Sequence, residues 1–171
     1  MIDIRKAIRD IPDFPKEGIL FRDITPALLS PEVFSEICDR IYQRYRDRNI
    51  DKVAAVESRG FIFGSVLAYR MEVGLIPVRK EGKLPYETVS ESYALEYAEA
   101  TLEIHTDAID KGDRIVIIDD LLATGGTAAA TCRLVESLGG KIEELFFLIE
   151  LANLRGRDLL DGREIFSLIT Y

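Results

Sequence analysis

The stretch VIIDDLLATGGT at residues 116–127 carries residue types and a spacing suited to binding a phosphate. Its apolar start predicts a buried strand, and its threonines and glycines predict a loop that opens a helix. Glycines let the backbone approach a ligand closely, and the free N–H groups at a helix N-terminus suit a phosphate. Thr124, Gly125, Gly126 and Thr127 are therefore candidate phosphate-binding residues.

Two carboxylates, Asp119 and Asp120, directly precede this loop. Carboxylates do not favour a phosphate, but they accept hydrogen bonds from vicinal hydroxyl groups and suit a hydrated Mg²⁺. A phosphorylated ribose has a phosphate at one end and a diol at the other, so it could bind both the glycine loop and the carboxylate pair. The loop lacks the Lys of a Walker P-loop and the G-x-G-x-x-G of a dinucleotide site. A glycine turn that only caps a buried helix is the structural alternative.

Composition and charge narrow the class of protein. The chain has 171 residues, 47% hydrophobic and 30% charged, which predicts a single domain over residues 1–171. A net charge of −8 disfavours a general nucleic-acid binder, and no apolar run is long enough for a membrane span. Cys38 and Cys132 lie in apolar helical patterns, as expected of buried thiols in a reducing cytoplasm. With His105 as the only histidine, a zinc site is improbable.

Strands alternating with helices predict an α/β fold with a mostly parallel sheet flanked by helices. Residues 80–97 lack a sustained period and predict an irregular, flexible lid. Helices are predicted at residues 4–11, from Pro31 to Tyr45, after SRGF up to Gly74 and at 127–138. Residues 16–29 are predicted to be an irregular arm. Strands are predicted at KVAAVE, LIPVR, ATLEIHT, RIVIID, IEELFFLIEL and EIFSLITY.

Ligands of such sheets bind beyond the carboxyl ends of the strands. Three loops fall at that edge: Glu57–Gly60, Lys80–Tyr97 and Asp119–Thr127. The sequence therefore predicts that these loops together form the ligand site.

Residues 116–127 resemble the phosphoribosyl-diphosphate signature of type I phosphoribosyltransferases. The stretches PDFPKEGILFRDITP, ESRGFIFG, VRKEGKLPYE and SYALEYAEATLEIHTDAI resemble, in order, landmarks of the adenine phosphoribosyltransferase family and cover nearly the whole chain. This resemblance implies a type I phosphoribosyltransferase-like fold with a small N-terminal hood (residues 1–30) over the base site and a catalytic lid at 80–97.

The resemblance also implies an activity. A 5-phosphoribosyl group would pass from 5-phosphoribosyl 1-diphosphate to adenine, giving AMP and diphosphate, as in purine salvage. The implied cofactor is Mg²⁺, carried mainly by the diphosphate sugar, and the implied assembly is a homodimer in the cytoplasm.

The resemblance assigns roles to particular residues. Asp119 and Asp120 hold the ribose hydroxyls, and Ala123–Thr127 bind the 5′-phosphate. Phe21 can stack on a flat base, and Leu20 can offer backbone groups to the adenine edge. The remaining implied residues are Ser58 and Arg59 at the diphosphate, Lys80 and Lys83 as further positive charge, Arg79 toward a neighbouring subunit's site, and Arg22 in the purine hood.

Ala123 departs from many other phosphoribosyltransferases of this type, which carry an Asp there that is suspected as a base. Alanine cannot transfer a proton, so acid–base help must come from elsewhere. The resemblance points to Glu96 with Tyr97 beside it. A carboxyl group shielded by a closed lid can share a proton with N7 of adenine. A solvent-exposed lid glutamate is the alternative.

Two other functions fit the same cradle. One is transfer to a 6-oxopurine such as hypoxanthine, guanine or xanthine, which presents an acceptor oxygen where adenine presents an amine donor. The other is a non-catalytic regulator of the same fold that senses the diphosphate sugar. Such regulators usually add a DNA-binding segment or a basic face, and neither is visible in this sequence.

Overall fold

The computed structural model describes residues 2–94 and 99–171. The chain divides after Asp47 into two compact units. Each unit has its own helices and strands and is described by itself. The single-domain organisation expected from chain length stays a prediction.

The first unit contains a hairpin where the sequence predicted a helix and an irregular arm. After a 3₁₀ turn at Ile4–Ala7, strands β1 (Arg9–Pro12) and β2 (Leu20–Asp23) pair antiparallel. The predicted helix over residues 4–11 is therefore wrong, as is the irregular arm over 16–29, which holds β2 and helix α1 (Thr25–Leu29). Pairing with β2 satisfies the backbone groups of β1, so the helical spacing of Ile4, Ile8 and Ile11 does not decide the local structure.

Helix α2 (Pro31–Tyr45) confirms the prediction made from its start signal. The Ser30 hydroxyl accepts a hydrogen bond from the Val33 amide at 3.3 Å, and Pro31 occupies the first helical position, where its missing N–H costs nothing. The inward face of the helix is buried, and it comprises Ile37, Cys38, Ile41 and Tyr45.

The second unit is built on a 7-stranded sheet with the order β5-β6-β4-β3-β7-β8-β9. Neighbours from β4 through β3, β7 and β8 to β9 run parallel, whereas β5 and β6 are antiparallel. The α/β prediction of a mostly parallel sheet is confirmed. The strands are β3 (Lys52–Val56), β4 (Gly74–Lys80), β5 (Thr88–Ala94), β6 (Glu99–His105), β7 (Arg114–Leu122), β8 (Lys141–Glu150) and β9 (Ile165–Thr170).

Strand β5 corrects the prediction that residues 80–97 lack regular structure. Thr88–Ala94 pair antiparallel with β6 along their whole length, and their exposure alternates along the strand. The Lys, Glu, Ser and Gly content of the segment hid this two-residue period, because only one face of the strand is covered. Residues 95–97 lie outside the described part of the chain.

Two helices cover opposite faces of the sheet and pack against its central strands. On one face, helix α3 (Arg59–Met71) places Gly64 against the Ala55 side chain. On the other face, Ala54 belongs to the buried cluster that includes Val135 of helix α4 (Gly126–Ser137). Because successive side chains of a strand point to opposite faces, β3 is buried on both sides.

The chain reverses its direction of travel across the sheet between β3 and β7. From β3 it passes through α3 to β4 on one side, and from β7 it passes through α4 to β8 on the other. Such a switch point opens a crevice at the carboxyl ends of the two strands. Glu57, directly after β3, and Asp119 and Asp120, near the end of β7, therefore lie at this crevice.

Both cysteines are buried and neither forms a disulfide, and burial raises the pKa of Cys132 to about 11. Among residues 2–94 and 99–171, no helix is both long and apolar enough to cross a membrane.

Candidate active site

A cavity of about 330 Å³ lies at the switch point, within the second unit. Residues from the ends of β3 and β7 and from the start of α4 line it, together with residues of β4 and β5. Its polar lining comprises Glu57, Arg59, Lys80, Tyr93, Asp119, Asp120, Thr124, Gly125, Gly126 and Thr127. Groups that lie far apart in the sequence thus share one concave surface, as a ligand site requires.

The two aspartates at the end of β7 have different surroundings. Asp120 is 6% exposed and accepts a hydrogen bond from Arg59 Nε at 2.6 Å. Asp119 faces the cavity, and its Oδ1 accepts the Asp120 amide at 2.8 Å. Burial, and secondarily the charge of Asp120, raise the pKa of Asp119 well above its ordinary value. A ligand that donates hydrogen bonds to Asp119 would favour its charged form.

The loop after β7 turns into α4 through Gly125, whose φ of 88° lies in the left-handed region. A side chain at this position would be strained, and its Cβ would overlap the carbonyl oxygen of Gly156. The turn leaves the first N–H groups of α4 free of helical partners at the cavity wall. Together with the threonine hydroxyls beside them, these groups can hold a phosphate without any fixed charge.

Tyr93 of β5 lies over the N-terminus of α4. The Thr127 hydroxyl donates to the Tyr93 oxygen at 2.9 Å. The ring packs on Gly126, where an added Cβ would come within 2.9 Å of it. The tyrosine therefore shields this part of the loop and keeps a polar group next to it.

The opposite wall of the cavity is held by Glu57 at the end of β3. One carboxylate oxygen accepts the Lys80 amide at 2.7 Å, and the other accepts Arg79 Nε at 2.9 Å. Burial tends to raise the pKa of Glu57, but these hydrogen bonds outweigh it and the pKa lies below its ordinary value. Glu57 thus stays charged and fixes the β4 end beside the cavity.

Gly60 lets the first turn of α3 approach β7. A Cβ at this position would lie 2.7 Å from the Ile118 carbonyl oxygen and 3.1 Å from the Asp119 carboxylate. Arg59, the neighbour of Gly60, pairs with Asp120 from this turn. The Glu57–Ser58 peptide bond that precedes the helix is cis.

Most residues predicted for the sugar diphosphate come together in this cavity. Arg59, Lys80 and Asp119–Thr127 line it, and Ser58 lies at the start of α3. Ser58, Arg79 and Lys83 are not among its lining residues; Arg79 instead donates to Glu57 and to the Lys83 carbonyl oxygen.

The residues predicted for the base belong to the first unit, and those predicted for the proton lie outside the described residues. Leu20, Phe21 and Arg22 lie on β2 of the first unit, where Phe21 stacks edge-on with Phe14 at 5.1 Å and Arg22 pairs with Asp10. Glu96 and Tyr97 lie outside the described residues. Their predicted roles stay predictions.

Two polar cavity residues, Glu57 and Tyr93, fall within predicted ligand loops, but the sequence assigned neither of them a role. Glu57 opens the ESRG motif, and its position at the end of a buried strand was a usable signal. Tyr93 depends on the pairing of β5, which the sequence did not predict. Its bond to Thr127 joins residues 34 positions apart, so no local pattern indicates it.

Comparison with known proteins places this geometry in a family. Residues 27–164 match the family model described as the phosphoribosyl transferase domain. An adenine phosphoribosyltransferase of Carboxydothermus hydrogenoformans is 55% identical over 170 residues, covering 99% of this chain and 100% of the relative.

Solved structures agree with this match. The adenine phosphoribosyltransferase of Thermoanaerobacter pseudethanolicus superposes with a TM-score of 0.95 at 53% identity, covering 99% of this chain and 98% of its own. That of Saccharomyces cerevisiae, solved with an imino-altritol bisphosphate and adenine, has a TM-score of 0.91 at 40% identity, covering 97% and 96%. With this fold, this cradle and these relatives, the chain belongs to the adenine phosphoribosyltransferase family of type I phosphoribosyltransferases.

Proposed function

We propose that this chain transfers the 5-phosphoribosyl group of 5-phosphoribosyl 1-diphosphate to adenine, giving AMP and diphosphate. The observation that carries the proposal is a single cavity with an uncharged phosphate cradle, a carboxylate pair and cations, in a chain 55% identical over its length to an adenine phosphoribosyltransferase. In this reaction N9 of the base bonds to C1′ of the ribose as the bond from C1′ to diphosphate breaks.

The sugar occupies the β7 side of the cavity. Backbone N–H groups and hydroxyls of Ala123–Thr127 hold the 5′-phosphate at the start of α4, and Asp119 and Asp120 accept the ribose hydroxyls. Positive charge builds on the ribose ring as diphosphate leaves. The two carboxylates lie where they can stabilise that charge.

The leaving diphosphate faces the β3 and β4 side. Arg59 and Lys80 line the same cavity and bring positive charge to it in a chain of net charge −8. The Ser58 amide and hydroxyl can add neutral donors. Lys83, tied to Arg79 through its carbonyl oxygen, contributes charge near this edge.

Mg²⁺ fits this site as a companion of the ligand. Within residues 2–94 and 99–171, no three acidic, histidine or cysteine side chains converge to hold a metal ion. The metal would therefore be held mainly by diphosphate and ribose oxygens, with Asp119 and Asp120 as the nearby carboxylates. When bound, Mg²⁺ neutralises the charge that accumulates on the diphosphate.

The role of sharing a proton with N7 of adenine is assigned to Glu96, with Tyr97 beside it, because Ala123 offers no acid or base in the cradle. Glu96→Gln is expected to lower kcat by about 100-fold or more, the usual worth of a positioned acid or base. Glu87→Gln, at an exposed glutamate of the same segment, is the control and should keep wild-type turnover. A Glu96→Gln variant with wild-type kcat would remove this assignment.

The base is assigned to Leu20, Phe21 and Arg22. Phe21 offers a flat ring for stacking, and Leu20 is 44% exposed at the start of the hairpin strand β2. The yeast relative was solved with adenine.

A homodimer in the cytoplasm completes the proposal, with Arg79 serving the neighbouring subunit's site. Light scattering of the purified chain tests the assembly. A monomer with full turnover would contradict the role given to Arg79 but not the reaction.

The experiment that tests the proposed function is turnover with adenine, 5-phosphoribosyl 1-diphosphate and Mg²⁺, with AMP and diphosphate both quantified. Equal amounts of the two products are expected. Binding of the diphosphate sugar without turnover on any base would favour the sensor of the same fold.

A further inference from the structure

The segment after β8 lies behind the phosphate cradle rather than in the cavity. It leaves the sheet at Glu150 and forms 3₁₀ turns at Ala152–Leu154 and Gly156–Leu160. Among the described residues that line the cavity, none belongs to this segment. It has no direct route to a ligand there, yet it contacts the cradle closely.

The contact is made by two backbones without side chains between them. A Cβ on Gly125 would overlap the Gly156 carbonyl oxygen, and a Cβ on Gly156 would overlap the Ala123 carbonyl oxygen. The same added Cβ on Gly156 would also meet Leu122 Cδ1 at 3.0 Å. There is no room for a methyl group on either side, so the position of Gly156 limits the position of the cradle loop.

Gly156 is held in place by its chain neighbour Arg157, which forms a bidentate ion pair with Glu150. Arg157 Nε donates to one oxygen of Glu150 and Nη2 to the other, both at 2.7 Å. Glu150 is 6% exposed, and its bond to Arg157 holds the pKa of that carboxyl below its ordinary value. The planar guanidinium fits the carboxylate in this one orientation, which fixes the segment to the end of β8.

Backbone hydrogen bonds complete the attachment to the sheet. The Leu151 amide donates to the Leu122 carbonyl oxygen at 2.9 Å, and the Ala152 amide donates to the Tyr171 carbonyl oxygen at 3.0 Å. The segment is therefore joined to β7, which leads into the cradle, and to the chain just after β9.

We propose that Arg157 and Glu150 are positioning residues for the 5′-phosphate, and that they act through Gly156 on the cradle loop Ala123–Thr127. The cradle binds through backbone N–H groups, which cannot be re-aimed by a side-chain rotation. Its accuracy depends on whatever supports it from behind. This inference rests on the proposed function of the cradle.

The test compares Arg157→Met with Arg155→Met, each measured for melting temperature, kcat, the KM of each substrate and the affinity for ribose 5-phosphate. Arg155 is the matched control, because its side chain is 79% exposed and pairs with Asp158 at the surface. Arg157→Met is expected to raise the KM for 5-phosphoribosyl 1-diphosphate about tenfold and to weaken ribose 5-phosphate in parallel, with little change in the KM for adenine. Arg155→Met should match the wild type.

Two further variants keep the inference falsifiable. Arg157→Lys retains the charge and one contact, so it should recover part of the lost affinity, and it carries the test should Arg157→Met fail to fold. Gly156→Ala should weaken the binding of ribose 5-phosphate at least as much as Arg157→Met does. A folded Arg157→Met with wild-type affinity for ribose 5-phosphate would overturn the inference. The inference would also be overturned if Arg157→Met raised both KM values equally and Arg157→Lys did not reduce that rise.

Failure of the proposed function is distinguishable from failure of this inference. A wild-type chain that binds ribose 5-phosphate but forms no AMP from adenine contradicts the proposed function alone. The binding comparison among the arginine variants then still decides whether Arg157 positions the cradle.

Discussion

The two walls of the cavity use opposite means to present donors to an anionic ligand. The β7 wall, Ala123–Thr127, offers backbone N–H groups and hydroxyls at a helix start and no fixed positive charge. The β3 and β4 wall offers Arg59 and Lys80, with carboxylates holding that wall in place: Asp120 binds the Arg59 side chain, and Glu57 binds the Lys80 amide. The first wall depends on backbone geometry, and the second depends on charge pairing.

This difference predicts how each wall fails. A backbone cradle is disrupted by small steric changes and is insensitive to charge, whereas a charged wall is disrupted by loss of one partner and is sensitive to salt. Substitutions on each wall test that contrast.

Gly125→Ala should cause the largest loss. The added methyl group overlaps Gly156, and the left-handed backbone is strained for alanine. A cradle displaced by about 1 Å is expected to cost about 100-fold or more in kcat/KM for 5-phosphoribosyl 1-diphosphate.

Gly112→Ala is the control for Gly125→Ala. It has a similar φ of 96°, but nothing lies within 4 Å of the added Cβ. It should lose about 1 kcal/mol of stability and keep wild-type kinetics. Equal kinetics for the two alanine variants would contradict the steric account of the cradle.

Asp119→Asn combined with Asp120→Asn should weaken binding of the diphosphate sugar by about 30- to 100-fold. Asparagine keeps a neutral acceptor oxygen, so each substitution loses only the difference between a charged and a neutral acceptor, about 1–1.5 kcal/mol. Isothermal titration with the sugar in the presence of Mg²⁺ measures this. Unchanged affinity would show that the two aspartates do not bind the ribose diol. Inorganic phosphate, which has no diol, should bind the double variant at least as well as the wild type.

Glu57→Gln tests the charged wall. Arg79 and Lys80 lose the carboxylate that fixes them, and the KM for 5-phosphoribosyl 1-diphosphate should rise about tenfold, the equivalent of about 1.4 kcal/mol. The wild-type KM should rise with added salt, and the variant's KM should depend on salt differently. A KM that matches the wild type at all salt concentrations would show that Glu57 does not organise this wall.

Tyr93→Phe should give the smallest change in binding. The ring stays on Gly126 while the hydrogen bond with Thr127 is lost, a neutral bond worth about 1 kcal/mol, or about fivefold in affinity for ribose 5-phosphate. Tyr93→Ala also uncovers Gly126 and should lose more. Equal losses for the two variants would mean that the ring contributes nothing.

Asp119→Asn alone tests stability rather than binding. A raised pKa means that the folded state favours the protonated carboxyl, so the stability contributed by that proton is present at low pH and is lost as pH rises through the folded pKa. The variant should therefore gain stability relative to the wild type as pH rises from about 4, the unfolded pKa of Asp, toward neutrality. Urea unfolding at several pH values measures the difference, and Asp107→Asn at the surface is the control.

The β7 wall could be predicted from the sequence because its signals are local. A buried strand, two aspartates and a glycine turn into a helix are contiguous, and the structure brings them together in the order of the sequence. The parallel sheet followed from strand and helix alternation for the same reason.

Supports from elsewhere in the chain could not be predicted. Gly156 contacts Gly125 across a long sequence separation, and a lone glycine in NLRGRDLL does not indicate which backbone it approaches. Likewise, residues 4–11 have a helical spacing of isoleucines, and only the pairing of β1 with β2 makes residues 9–12 a strand. Contacts between distant segments decide these cases, and single-segment patterns carry no information about them.

Transfer to adenine is tested most directly by kcat/KM for adenine, hypoxanthine, guanine and xanthine with saturating 5-phosphoribosyl 1-diphosphate and Mg²⁺. We expect AMP formation from adenine with kcat/KM at least about 100-fold above the other bases, because a site that pairs with the exocyclic amine leaves a polar group unpaired when an oxygen replaces it. Equal or faster turnover of a 6-oxopurine would contradict this expectation.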